Sequence, residues 1–301
     1  MNIGGRLTLT SGVEVTESDV TGAASVYLTP AGPGLDLTQI YDGSALQERQ
    51  FTETTLTLTN ALHLAGKTYP VFEAWNSGVL FLGTGPAWSA NVPGGSDFST
   101  VRGVKVNNGS ITLKNGASSL AVADKQATYR GAIGITAVNG LTEDSYANRL
   151  IGNVYNTMPR PMAKHESASW NYSTATYRAA NNSAANSITY VQPVGGRKAF
   201  ARAQAICTNS TNTSRRVAVG IGVDSTSVDS STLMAFESLI NQEPMAVYAE
   251  YDGFPGVGRH TLYWLECGNG TDTQSWSGNP VQNNSGSATN YAPGIRGWTE
   301  S

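Results

Sequence analysis

Apolar and polar residues alternate along most of this chain in short runs of period two, the spacing of strands that bury one face. In the first half the runs are Gly5 to Thr10, Ser25 to Thr29, Thr54 to Thr59 and Thr128 to Thr136. In the second they are Trp170 to Tyr172, Thr176 to Arg178, Ser187 to Gln192, Lys198 to Cys207, Arg216 to Val223, Met245 to Tyr251 and His260 to Cys267. Turn residues punctuate them. Asp42-Gly43 marks one turn, a hairpin is predicted over Tyr69 to Gly83 around Asn76-Ser77-Gly78, and another is predicted with Asn107-Asn108-Gly109 at its bend. Leu233 to Ile240 reads equally as strand or helical turn, and the polar stretch from Ser275 onward reads as a loop or a segment ordered by another chain.

Thr142 to Glu166 departs from this pattern and predicts the one helix. Thr142 is a suitable N-cap, Glu143 and Asp144 place negative charge on the first turn, and Tyr146, Ala147, Leu150, Ile151, Val154 and Met158 recur at helical spacing. Pro159 ends it, and Arg160-Pro161 forces an extended exit. The fold class predicted is therefore mainly β, with two β-sandwich or jelly-roll-like domains joined by a short central helix. Residues 1–140 form a β-rich first domain, 141–166 the helix and its proline-containing linker, and 167–301 the second sandwich with its polar tail. Leu150, Ile151, Val154 and Met158 form an apolar face that needs a partner, as a packing or oligomer interface.

Composition agrees with this reading. Charged residues make up 14% of the 301, well below an ordinary soluble domain, while hydrophobic residues reach 40%. A net charge of -3 with no basic run leaves no electrostatic footprint for nucleic acid. No apolar run reaches the length of a membrane span, and the amino terminus lacks a signal-peptide pattern, so a soluble protein made in a cytoplasm is expected. Cys207 and Cys267 are too few for a disulfide framework and read as small apolar residues.

Catalytic patterns are sparse. AGKT at Ala65 to Thr68 lacks the earlier glycine of a P-loop, since Ala61 stands there. The three histidines, His63, His165 and His260, sit in unrelated segments. Glu250, Asp252 and Glu266 are the carboxylates that glycan cleavage would need as a pair, although solvated strand ends explain them more simply. Asp224 and Asp229 have only a generic spacing for calcium. No catalytic residue, metal site or cofactor is assigned. The aromatics Trp170, Tyr172, Tyr177, Trp276, Tyr291 and Trp298, in or beside loops, are candidates for stacking on sugar rings, with core or interface packing as the alternative.

The runs RLTLTSG, DVTGA, VYLTP, IYDGS, VFEAWNSGVLFL, YRGAIGIT and TEDSYANRLIGNVYNTMPRPM, followed by SWNYSTATYRAANNSAANSITYVQ and VGIGVDST, cover most of the chain. They resemble tailed-bacteriophage virion structural proteins of the tail-fibre or appendage type. The resemblance implies a non-enzymatic virion protein assembled in the bacterial host cytoplasm. Its partners would be other virion proteins of tail or head, further copies of itself as a homotrimer, and host cell-surface glycan. The row Ala199, Ala201, Ala203 and Ala205 would suit close approach between copies, or packing within one sandwich. A head fibre or decoration protein without a receptor role is the alternative, and a glycan depolymerase ranks below both.

Overall fold

Period-two patterning becomes strand almost everywhere. The computed structural model describes residues 3–30, 32, 36–94, 97–211, 215–234, 237–239, 244–278 and 293–301, and these are nearly all β, with one 3-10 turn at Ala180–Asn182. Strands Thr68–Asn76 and Ala127–Gly134 form the middle of an eight-stranded amino-terminal sheet. Their core-spanning stretches are buried on both faces. One face packs Tyr69, Val71, Leu82 and Ile133 against Leu7, Val26, Leu28 and Leu56 of a three-stranded sheet. The other packs Phe72, Ala74, Tyr129 and Ala132 against Trp88, Leu113 and Val191.

The second half is built from two further sheets. Ser187–Gln192, Gly258–Cys267 and Arg215–Val223 lie side by side in an eight-stranded bridging sheet, which also takes in Val20–Ala23 from near the amino terminus. Pro159–His165, Gly294–Glu300, Ala199–Asn209 and Met245–Gly253 are successive neighbours in a seven-stranded carboxy-terminal sheet. The apolar faces of these two sheets meet. Ala199, Ala201, Ala203, Ala205, Val247, Ala249 and Ile295 from one side enclose a core with Tyr190, Val219, Ile221, Leu262 and Trp264 from the other. The alanine row therefore serves packing inside this chain, where its small side chains leave room for the opposing Tyr190 and Trp264.

The predicted central helix does not form. Thr142–Asp144 and Asn148–Arg149 are strands of the bridging sheet, Ile151–Asn153 pairs with Ala127–Gly134 in the amino-terminal sheet, and Pro159–His165 edges the carboxy-terminal sheet. One segment thus supplies strands to three sheets. Leu150 and Ile151, adjacent in sequence, are buried in two different cores, on the opposite faces that an extended backbone presents. Gly152 enforces the same path, because a Cβ there would stand 2.5 Å from the Val191 carbonyl oxygen.

Two further expectations change. Asn107-Asn108-Gly109 does not join a hairpin: Val104–Asn107 pairs with Phe98–Val101 and Ala127–Gly134, whereas Ile111–Asn115 pairs with Ser118–Val122 and Val79–Thr84. The buried Asn107 side chain instead donates to the Gly109 and Ala123 carbonyls at 2.7 and 2.8 Å and accepts from the Ala127 N–H at 2.8 Å. The tail from Ser275 is also partly strand. Gly294–Glu300 lies between Pro159–His165 and Ala199–Asn209, with Ile295 and Thr299 facing inward. The hairpin at Asn76-Ser77-Gly78 does form, with Ser77 and Gly78 at φ of 50° and 97°, the left-handed pair that matches strand twist. Leu233–Met234 and Glu237–Leu239 are strand.

Where the helix was expected, a buried ionic cluster stands. The Asp144 carboxylate accepts from Arg149 Nη1 and Arg160 Nη2, each at 2.9 Å, and from Thr16 Oγ1 at 3.0 Å. Arg149 also donates to the Pro161 carbonyl through Nε and Nη2, at 3.0 and 2.9 Å. Burial, the largest influence, pushes the Arg160 guanidinium pKa down, while Asp144 opposes that shift. Nearby, Arg6 donates to the Asn156 carbonyl and, at 2.8 Å, to the carbonyl of Ser301, and burial lowers its pKa to about 10.

Removing one member of such a cluster leaves buried charge without its partner. Asp144→Ala is expected to lower stability by about 3–5 kcal/mol, and Lys125→Ala, which breaks a solvent-exposed pair, to change it far less. Urea denaturation of the two variants checks the contrast.

Candidate functional site

Alternation in Ala199–Asn209 sends alanines inward and Phe200, Arg202, Gln204 and Ile206 outward. Strand register then aligns outward residues from four strands. Pro161, Trp298, Phe200 and Asp252 form one cross-strand row, and Ala163, Arg296, Arg202 and Glu250 form the next. Tyr248 sits opposite Gln204. Trp298, Phe200 and Tyr248 are half-buried, and Arg296 is exposed. The Arg202 guanidinium carbon lies 4.5 Å from the Tyr248 ring centroid, and Arg202 Nη1 is 3.6 Å from Glu250 Oε1. At the end of the two middle strands Lys198 Nζ contacts Asp252 at 3.0 Å and lies 5.7 Å from the ring of Phe254, which is 60% exposed. Rings and charged donors thus alternate over the open face of the carboxy-terminal sheet.

The six aromatics singled out from the sequence do not form one site. Of the five that are described, Trp298 alone lies on this open face. Trp276 points inward and is fully buried. Trp170 packs over the same core, stacked on Trp276 at 6.3 Å and edge-on to Trp264 at 5.6 Å, and its indole N–H donates to Glu266. Tyr172 lies under the Arg178 guanidinium, 3.7 Å from carbon to ring centroid, and its hydroxyl donates to the Thr176 carbonyl at 2.8 Å. The Tyr177 hydroxyl meets Met234 Sδ at 3.2 Å, and burial, reinforced by Asp229, raises its pKa to about 12. Tyr291 lies outside the described residues. Phe200, Arg202, Tyr248 and Arg296 were missed. The signal for Phe200 and Arg202 was the alternating alanine run, which already places one residue in two on the opposite face.

Other candidates resolve by geometry. Glu250 and Asp252 share the open face, but Glu266 belongs to the bridging sheet, is fully buried, and accepts from Arg178 Nε at 2.8 Å. The three carboxylates are not brought together. Burial raises the Glu266 pKa against the lowering effect of Trp170 and Arg178. Asp224 accepts from the Thr261 N–H at 2.7 Å and contacts His260 Nδ1 at 2.8 Å, while Asp229 accepts from Ser231 Oγ at 2.7 Å. Asp224 is thus engaged by the neighbouring strand Gly258–Cys267 and Asp229 by its own loop and Ile221, and the described residues hold no cluster of three or more His, Cys, Asp or Glu suited to a metal ion. Cys207 and Cys267 are free thiols. Of the predicted interface residues, Leu150 and Ile151 are buried inside the chain, Val154 packs on the same core as Leu150, and Met158 remains partly exposed.

No family model matches the chain, and no curated protein matches it. Among solved structures, that of the infectious bursal disease virus Gx strain is similar over 99% of this chain and 82% of that chain, at 9% identity and a TM-score of 0.29. A Bacillus thuringiensis Cry1Da tryptic core variant is similar over 91% of this chain and 51% of that chain, at 9% identity and a TM-score of 0.17. Both likenesses are distant and carry no functional argument. No helix among the described residues is long and apolar enough to cross a membrane.

Core and surface aromatics separate in a stability measurement. Trp276→Ala is expected to cost about 3–5 kcal/mol through the cavity it leaves, and Trp298→Ala much less. Thermal and urea melts check this.

Glu266 gives a pH dependence whose sign is fixed by its raised pKa. Protonation of the folded state is favoured, so the associated stability is present below the ordinary value of 4.5 and is lost as pH rises through the raised value. The stability of wild type relative to Glu266→Gln should therefore fall as pH rises above the ordinary carboxyl value of 4.5 and through the raised one. A difference that stays flat in urea melts over that range refutes the assignment.

Proposed function

We propose that this chain is a structural protein of a tailed-bacteriophage virion, of the tail-fibre or appendage type, and that the open face of its carboxy-terminal sheet contacts host-surface glycan. The observation that carries the proposal is the row Trp298 and Phe200 beside Arg202, Arg296 and Tyr248. Aromatic faces stack on the apolar faces of sugar rings, and guanidinium groups donate to their hydroxyls. The sequence resemblance supplies the virion context. In this reading residues 1–140 attach to the particle, 167–301 form a jelly-roll-like outer sandwich, and 141–166 ties the two together. Three copies would multiply weak sugar contacts, since linked sites reach an avidity well above single-site affinity. No reaction is assigned, and neither nucleic acid nor membrane insertion is required.

Aromatic and arginine side chains are also enriched at protein interfaces. The same face therefore suits a neighbouring virion protein, which is what a head fibre or decoration protein would need.

The test uses the purified full-length chain on a panel of bacterial strains and their extracted surface polysaccharides. Binding to at least one strain is expected, with Trp298→Ala and Arg202→Ala each weakening it by about tenfold or more. Wild-type binding by both variants would overturn the glycan-contact role. Immunogold labelling confined to capsid faces of intact particles would favour the head-fibre reading.

A further inference from the structure

A separate feature lies in the first half. Strands Leu37–Tyr41 and Leu46–Gln50 form a two-stranded hairpin that leans over the amino-terminal sheet. The Thr38 hydroxyl donates to buried Glu73, and the Thr128 hydroxyl donates to the Gln39 carbonyl at 2.5 Å. The sheet curls enough for Leu120 and Val122, three strands away from Ala74 and Trp75 in sheet order, to line the same cavity as those residues. The cavity measures about 240 Å³ and is completed by Tyr41, Asp42, Gln47, Arg49 and Gln126. Drug-sized ligands occupy sites of about 300–1,000 Å³, so this one suits a single ring.

Its lining combines an exposed ring with polar groups that keep part of their hydrogen-bonding capacity, Gln126 Nε2 already donating to the Asp42 carbonyl at 3.4 Å. Trp75 is 37% exposed, large for an indole on a sheet whose middle is otherwise buried. The Arg49 guanidinium carbon lies 5.2 Å from the Trp75 ring centroid, and among the described residues the guanidinium makes no hydrogen bond or ion pair. Asp42 is held in place by its own turn: Oδ1 accepts from the Ser44 N–H, the Ser44 hydroxyl and the Ala45 N–H, each at 2.8 Å, and Oδ2 accepts from Gln47 Nε2 at 2.9 Å. That leaves acceptor capacity on Oδ2 and keeps the carboxylate rigid. One cation and one anion cancel, so the lining selects no net charge. It offers donors from Arg49 and Gln126 and acceptors from Asp42 and the glutamine amides, the complement of hydroxyl groups that each donate and accept.

We propose that this cavity is a binding site for one uncharged pyranose, hexose or N-acetylhexosamine, with a ring face on Trp75 and adjacent hydroxyls on Arg49 and Asp42. The site stands apart from the carboxy-terminal sheet and does not depend on its role. It places a second sugar-binding position in the half of the chain otherwise assigned to attachment.

The test titrates the full-length protein, labelled with nitrogen-15, with methyl glycosides of glucose, galactose, mannose and N-acetylglucosamine, following indole N–H resonances. At least one glycoside should shift the Trp75 resonance saturably, with a Kd on the order of 1 mM as befits a single shallow ring contact. Binding of that glycoside, followed by saturation transfer to its protons, should weaken at least fivefold in both Trp75→Ala and Arg49→Gln and persist in Trp298→Ala. Trp75 and Arg49 are partly solvent-exposed, so both variants are expected to fold with melting curves like the wild type's. No shift of the Trp75 resonance by any glycoside, or undiminished binding in either variant, overturns the proposal. A response confined to glucuronic or sialic acid overturns the assignment to an uncharged ring.

Discussion

The Asp144 carboxylate, shared between Arg149 and Arg160 where the bridging and carboxy-terminal sheets meet the amino-terminal loop, is the constraint on which the rest of the fold depends. A buried charge is tolerated only when it is paired and its remaining hydrogen-bonding capacity is met. Here the pairing draws in Thr16 from the amino-terminal loop, Pro161 from the carboxy-terminal sheet and Asp144 itself from the bridging sheet. Satisfying the cluster therefore fixes the relative placement of all three. The segment 142–166 runs extended because it must reach each of them, and its adjacent Leu150 and Ile151 enter separate cores.

A second buried carboxylate follows the same logic within the first half. Glu73 is fully enclosed, accepts from Thr38, and lies 3.4 Å from Arg130 Nη1. Burial raises the Glu73 pKa, which Arg130 and Thr38 only partly offset. Arg130 in turn donates to the Gly4 and Gly5 carbonyls, so this pair anchors the first residues of the chain against the middle of the amino-terminal sheet. It also fixes the hairpin that walls the Trp75 cavity, through Thr38.

The carboxy-terminal sheet shows how core packing creates a surface. Small alanines facing inward let the sheet approach Tyr190 and Trp264 closely. Because side chains alternate, the same strand must then carry its bulky and charged residues outward. Phe200 and Arg202 are on the open face for that reason, and Trp298 joins them through the register of Gly294–Glu300.

Strand character and the Asn76-Ser77-Gly78 hairpin were legible in the sequence, since each follows from local periodicity or turn chemistry. The fate of Thr142 to Glu166 was not. Its apolar residues fit a helical period, yet Gly152 pressed against Val191 and arginines paired across long sequence separations favour strand, and those partners are invisible to a local pattern. The same limit applies to the aromatics. Composition shows that Trp276 and Trp298 exist, but only sheet register decides that one fills the core while the other faces outward. Local sequence sets which backbone conformations are open to a segment. Long-range pairing, through burial of charge and the meeting of sheet faces, selects among them.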